Sequence, residues 1–282
     1  DLERERGITI LAKSTAVEWK GVKINIVDTP GHADFGGEVE RILSMVDGAI
    51  VLCDAAEGPL PQTKFVLTKA LARGLKPIVV INKVDRQDAR PDEVHNEVFD
   101  LFAALGASDE QLDFHTLFAS GRQGWADLEL EGPRKDLAPL FDLILSHVPA
   151  PKVDLEKPFA MNASILESDN FLGRILTGRV EQGVARLNMP VRVLRQDGTV
   201  VESGRLTKLM TFSGLERVPV DEVQAGDIIA IAGLSDATIP DTIAAPEVTE
   251  PLPAIPVDPP TLAMTFRTVS YTHLTLPTIL RV

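Results

Sequence analysis

PIVVINKVD, residues 77–85, decides how the first half of this chain is built. Four apolar residues in succession, Ile78 to Ile81, leave no polar face for water. The strand they form must therefore be covered on both sides, as strands of a parallel α/β sheet are. Asn82, Lys83 and Asp85 follow at once, where the carboxyl end of a parallel strand opens onto a ligand crevice. Outward from this stretch, residues 49–54 and 114–120 read as two more short strands. Residues 62–73, 91–105 and 137–147 have helical spacing, with Pro91 suited to a first helical turn. Upstream, 35–46 is helical, and 15–19 and 22–28 are strands joined by the turn Lys20-Gly21. Strands alternating with helices predict a mainly parallel sheet with helices on both faces.

The pattern changes after Val148-Pro149-Ala150-Pro151. From Phe159 onward there are short strands and turns and no long amphipathic helix. Asp197-Gly198 between 191–195 and 199–201 is a hairpin signal. Ser213-Gly214 and Ala225-Gly226-Asp227 mark further turns. This half is expected to be a small antiparallel β-barrel. From 235 to 262 there are seven prolines and no Lys or Arg, and the later part reads as a linker. The expected division is 1–150, 151–250, a linker and the start of a third domain at 251–268, and a tail at 269–282. The tail, VSYTHLTLPTILRV, resembles translated sequencing-adapter read-through and is assigned no function.

Composition narrows the classes. A formal charge of −13 argues against gripping DNA or RNA through bulk positive charge, while leaving local contacts to RNA open. The single cysteine, Cys53, permits no disulfide within the chain and fits a reducing, cytoplasmic setting. No apolar run is long enough to span a membrane. A dinucleotide oxidoreductase would need a Gly-rich fingerprint after the first strand, and there is none. The five histidines, His32, His95, His115, His147 and His273, form no metal-binding H-x-x-x-H pair.

Four short clusters carry chemistry. Asp28-Thr29-Pro30-Gly31-His32 follows a strand read as part of the parallel sheet, at the carboxyl end that faces the ligand crevice. Asp28 can hold Mg²⁺ through water, Gly31 lets its N–H approach a terminal phosphate, and His32 points a polar ring at the same place. Asp85 can accept both N1–H and N2–H of guanine, a pairing adenine cannot match. Lys83 can lay its stem over the base, and Asn82 can bond the base and tie neighbouring loops. Ala119-Ser120-Gly121 ends a third strand, with amides that can meet the guanine carbonyl. Thr9, in RERGITI (4–10), has a hydroxyl suited to Mg²⁺ and to sensing a γ-phosphate. Each alone is equally an ordinary polar turn or strand start. Their order is that of a GTP-hydrolysing site.

RERGITI, DTPGH (28–32), NKVD (82–85) and HADFGGEVERILSMVDG (32–48) together resemble the translational GTPases, a group that includes elongation factor G and LepA. EGPLPQTKFV (57–66), GLKPIVVINKVDR (74–86) and DEQLDF (109–114) are similar to the BipA/TypA branch. The resemblance runs from Asp1 to about Arg267. It implies a P-loop-NTPase-like G domain followed by a translation-factor β-barrel, GTP as substrate, Mg²⁺ as cofactor, and the ribosome, including its sarcin–ricin RNA, as partner. It also implies a role in stress adaptation or ribosome assembly. Thr9 and Asp28 would serve the metal, and Ile8 an apolar gate. Gly31 would meet the γ-phosphate. Asn82, Lys83, Asp85, Ser120 and Gly121 would read the nucleotide, and His32 would orient the hydrolytic water. Gly121 stands where the family more often has Ala, a small departure because the backbone makes the contact.

A larger departure is that no G-x-x-x-x-G-K-[ST] occurs in the 282 residues. The resemblance puts that loop, its strand and its helix before Asp1. Without it the main anion site is missing, so these residues by themselves are expected to bind GTP poorly and to aggregate through an unpaired sheet edge. The other readings are a LepA-like or elongation-factor-G-like enzyme, or a non-catalytic RNA- or partner-binding module.

Overall fold

A computed structural model describes residues 12–29 and 36–255. Thr9, Ile8, Gly31 and His32 lie outside the described residues, as does the 269–282 tail. The chain opens with a hairpin of β1 (Lys13–Trp19) and β2 (Val22–Asp28). Its two-residue turn has both φ angles positive, 50° at Lys20 and 78° at Gly21, the geometry that matches strand twist. There follow α1 (Gly36–Ser44), β3 (Ile50–Asp54), α2 (Pro61–Ala72), β4 (Ile78–Asn82), α3 (Pro91–Ala104) and α4 (Asp109–Leu112). The half ends with β5 (Thr116–Ser120), β6 (Trp125–Asp127) and α5 (Ala138–His147).

Strands β3, β4 and β5 pair in parallel and β6 returns antiparallel, in the order β3-β4-β5-β6. One face of this sheet packs Val79, Ile81 and Cys53 against Leu67 of α2 and Val94, Val98 and Phe102 of α3. The other packs Ile78, Val80 and Leu117 against Ile144 of α5. All four apolar residues of PIVVIN are buried, each contributing on the order of 1.5–3 kcal/mol. The mainly parallel sheet with helices on both faces is thus present. Pro61 and Pro91 open α2 and α3, where a missing N–H costs nothing. Ser108 caps α4 through a reciprocal box with Gln111.

The position of the hairpin differs from expectation. Asp28 was expected to end a strand of the parallel sheet. Instead β1 and β2 form their own two-stranded sheet. Ile24 leans on the core beneath α5, but the backbone bonds of the hairpin go to the second half. Ala16 and Gly214 exchange two backbone hydrogen bonds of 3.2 and 2.8 Å. Lys23 and Asn25 both reach the Asp227 carboxylate, at 2.7 and 2.8 Å. A charge-assisted acceptor and an open backbone edge hold the hairpin on the antiparallel half.

The second half holds β7 (Ala160–Asn162), β8 (Ile165–Asp169), β9 (Gly173–Gln182), β10 (Val184–Arg186), β11 (Pro190–Leu194), β12 (Val200–Arg205), β13 (Lys208–Ser213), β14 (Glu216–Pro219), β15 (Glu222–Gln224), β16 (Ile228–Ala232) and β17 (Thr242–Ala244). Nine of these make one antiparallel sheet, β12-β11-β17-β7-β9-β16-β13-β14, with β8 also on β9. Strands β10 and β15 pair separately. Among the described residues the backbone ladder does not close into a barrel, but the sheet curls. Arg217 of β14 meets Glu167 of β8, four strands away along the ladder. A flat sheet would hold them about 19 Å apart. Met161, Leu176, Leu209, Ile229 and Ile243 fill the enclosed core. The proline-rich stretch contributes β17 to this sheet, and beyond it Leu252 N donates to Thr242 Oγ1 at 3.0 Å and Pro253 O accepts from Asn162 Nδ2 at 2.9 Å, so the described part is held on the β half.

The two halves share a third core, in which Ile42 and Met45 of and after α1 meet Met210, Phe212 and Ala230. Across this seam Arg179 of β9, only 9% exposed, donates to Asp47 at 2.9 Å. Burial beside this pair pushes the Glu181 carboxyl up, against the attraction of Arg179 and with the repulsion of Asp47.

Gly178 of β9 is a position where only glycine fits. A Cβ there would lie 2.0 Å from the backbone oxygen of Asn162. Gly178→Ala is expected to cost about 1–3 kcal/mol through overpacking that the backbone cannot relieve. A denaturant midpoint equal to that of the parent chain would contradict this.

Candidate functional site

The parallel register sets Asp54 beside Asn82, and Asn82 beside Ala119. Three polar strand ends, Asp54, Asn82 and Ser120, therefore share one edge of the sheet. Asn82 is its centre. Its Oδ1 accepts from the backbone N–H of Lys83 at 2.8 Å and of Gly121 at 2.9 Å. One side chain thus fixes the loop after β4 and the loop after β5, each bond contributing about 0.5–1.5 kcal/mol. Lys83 has φ of +64°, a left-handed conformation that a lysine adopts only when its surroundings impose it. The Asn82 bond imposes it from one side, and the bond from Val84 N to Ala119 O, 3.2 Å, from the other.

Asp54 adds the electrostatic half of the site. Its Oδ2 lies 2.7 Å from Lys83 Nζ and 3.2 Å from Arg86 Nη1. Its Oδ1 accepts from Ala56 N at 2.8 Å and Glu57 N at 3.3 Å. Burial by itself would raise this carboxyl. The Lys83 bond and the two amides outweigh it and hold the carboxyl down at about 2. A depressed carboxylate stabilises the fold fully above its ordinary value of 3.8, and that contribution is lost as the pH falls toward about 2. Asp54→Asn should therefore be less stable than the parent near neutral pH, with the difference shrinking between those two values. Melting curves that keep the same separation across that window would refute the assignment.

Arg90 closes the rim, its N–H bonded to Ala55 O at 2.8 Å and its Nε to Ala56 O at 3.1 Å. Asp54, Arg86 and Arg90 were not singled out in the sequence. A signal was present for Asp54, which ends an apolar strand just as Asp28 and Asn82 do. No sequence pattern announced the two arginines.

The remaining site residues fall as follows. Asp85 is exposed, with no hydrogen-bond or ion-pair partner among the described residues, so both carboxylate oxygens can accept. Ser120 is fully buried, and its Oγ accepts from Gln123 N at 3.3 Å. The Gly121 amide is already engaged by Asn82, so a base carbonyl would have to take it over. Asp28 is exposed at the end of β2, on its separate sheet. Its oxygen-donor chemistry suits a hydrated Mg²⁺. Among the described residues no group of three or more metal-ligating side chains gathers. His95, His115 and His147 lie elsewhere, His95 against Phe114 and His115 edge-on to His147. Cys53 is buried, and burial with the nearby Glu97 pushes its thiol up to about 11, leaving it unreactive.

Residues 1–150 match the Elongation factor Tu GTP binding domain, and residues 173–244 match Elongation factor Tu domain 2. The curated proteins called Large ribosomal subunit assembly factor BipA from Synechocystis sp. and Haemophilus influenzae are 52% and 54% identical to this chain over 266 residues. The chain belongs to the BipA family of translational GTPases. The protein of the same name from Salmonella typhimurium is 53% identical over the same length. In each case 94% of this chain is covered, but only 43–44% of the BipA relative, so the chain spans under half the length of these proteins. The family's GTP-binding domain takes in the β3–β6 sheet, and its domain 2 takes in most of the antiparallel half. No described helix is long and apolar enough to cross a membrane.

Proposed function

We propose that this chain is the guanine-reading and second-domain portion of a ribosome-associated GTPase that acts in assembly of the large ribosomal subunit. The observation that carries this is Asn82, which holds the Lys83 and Gly121 loops together at adjacent parallel strand ends. That arrangement leaves Asp85 free to take the N1–H and N2–H of guanine, with Lys83 over the base and the amides after Ser120 near its carbonyl. Thr9 and Asp28 would hold Mg²⁺, which when bound neutralises charge on the phosphates. Ile8 would border the attacking water, Gly31 would meet the γ-phosphate, and His32 would orient the water once ribosomal RNA, the sarcin–ricin loop, positions it. The working compartment is the cytoplasm. Within this reading the G domain is 1–150 and the second domain 151–250.

These 282 residues contain no phosphate-cradling G-x-x-x-x-G-K-[ST] loop. Titration with GTP and Mg²⁺ is therefore expected to show affinity weaker than micromolar for this polypeptide. A chain carrying such a loop upstream should show micromolar or tighter binding, with guanosine nucleotides preferred over adenosine nucleotides. If the extended chain binds neither, or prefers ATP, the proposal fails.

A further inference from the structure

The segment that carries Asp85 is a tight turn, and both of its ends are tied to one residue on the neighbouring strand. Arg86 N donates to Lys83 O at 3.1 Å, closing a turn with Val84 and Asp85 at its tip. The side chain at each end of this turn reaches the same carboxylate oxygen. Lys83 Nζ lies 2.7 Å from Asp54 Oδ2, and Arg86 Nη1 lies 3.2 Å from it. Arg86 turns the rest of its guanidinium onto Asp88, Nε to Oδ1 at 2.8 Å and Nη2 to Oδ2 at 2.7 Å. Asp85 sits between these tethers with no hydrogen-bond or ion-pair partner of its own among the described residues.

Asp54 is fit to be the fixed point of this arrangement. Its side chain is 10% exposed, against 56% for Lys83 and 37% for Arg86. Its Oδ1 is held by the amides of Ala56 and Glu57. Its backbone oxygen accepts from Gly58 N at 2.9 Å, and the next residue, Ala55, donates to Asn82 O and accepts from Arg90 N, both at 2.8 Å. Ion pairs to side chains as exposed as these add little to stability. What they change is freedom. An untethered turn can rock Asp85 through many directions, whereas a held one presents it in a single direction before any ligand arrives. Two bonds to one base edge need that alignment, because a hydrogen bond weakens steeply as its angle closes.

We propose that Asp54 is a positioning residue for guanine discrimination, holding both ends of the Lys83–Arg86 turn so that Asp85 meets N1–H and N2–H together. This role rests on the base-reading assignment of Asp85.

The test compares GTP with ITP, whose base lacks the exocyclic amino group, so the ratio of the two affinities reads the N2–H bond alone. In a chain that carries the phosphate-binding loop, with Mg²⁺ present, the parent should prefer GTP by about fivefold or more. Asp54→Asn keeps the shape and an acceptor for the two amides but loses the charge that holds Lys83 and Arg86. Its GTP-to-ITP ratio should fall close to unity. Arg86→Gln frees only one end of the turn and should lower the ratio less; it decides the matter if Asp54→Asn does not fold. Glu57→Gln, whose carboxylate stands 3.9 Å from Arg86, should leave the ratio unchanged. A general loosening of the fold weakens both nucleotides alike and does not move the ratio. An unchanged ratio in either Asp54→Asn or Arg86→Gln, or an equal fall in Glu57→Gln, overturns the role of Asp54 and leaves the guanine reading standing. A parent chain that binds ITP as tightly as GTP overturns both.

Discussion

His32→Ala is expected to lower ribosome-stimulated GTP turnover by about 100-fold or more while leaving nucleotide affinity nearly unchanged, in a chain that also carries the phosphate-binding loop. Phosphoryl transfer asks the protein for positioning and charge stabilisation more than for covalent chemistry. A water held out of line by about an ångström can cost about a hundredfold. His32 follows Asp28-Thr29-Pro30-Gly31 directly in the sequence, and in the proposed reading its ring would serve the attacking water rather than the base. The split between turnover and affinity is the informative measurement. Single-turnover hydrolysis should fall, and equilibrium binding of a non-hydrolysable GTP analogue should not. An equal loss in both would make His32 a binding residue and withdraw its role toward water.

The second large effect is expected at Asp85, in the same loop-carrying chain. Asp85→Asn replaces an acceptor with a group that donates on one side, so the N1–H and N2–H of guanine lose a matched partner and xanthine gains one. A bidentate base contact of this kind discriminates by about 1–3 kcal/mol, so guanine affinity should fall by roughly 5- to 150-fold and the preference should move toward xanthine. The fold should be untouched, because the Asp85 carboxylate is exposed and makes no hydrogen bond or ion pair among the described residues. Asn82→Ala would not serve as well, since losing Oδ1 frees two loop amides and mixes stability with recognition. A variant at Asp85 that weakens GTP and XTP alike would remove the residue from the base-reading role.

Much of the local structure was legible in the residues. The IVVI run, Pro at the start of α2 and α3, and Lys20-Gly21 between alternating strands each impose their element through short-range sterics or burial. The strand and helix boundaries fall within a few residues of those expected. The order of polar strand ends was legible too, because parallel strands deliver whatever follows them to one edge. What could not be read is where elements compete for partners far along the chain. The β1–β2 hairpin has two edges and an apolar face, and nothing local says which sheet it joins. It joins neither: Asp227 and Gly214, roughly two hundred residues away, tie its strands to the antiparallel half, while Trp19 and Lys20 at its turn reach Asp142 of α5.

The same holds inside the site. Sequence alone determined the elements of the first half and the membership of NKVD at a strand's end, because burial of a four-residue apolar run and the period of its flanking helices admit few alternatives. Only the tertiary structure decided that Asn82 clasps Gly121 and that Lys83 and Arg86 are both tied to Asp54. Those pairings depend on register between strands, and register is set by the packing of whole faces rather than by any stretch of chain.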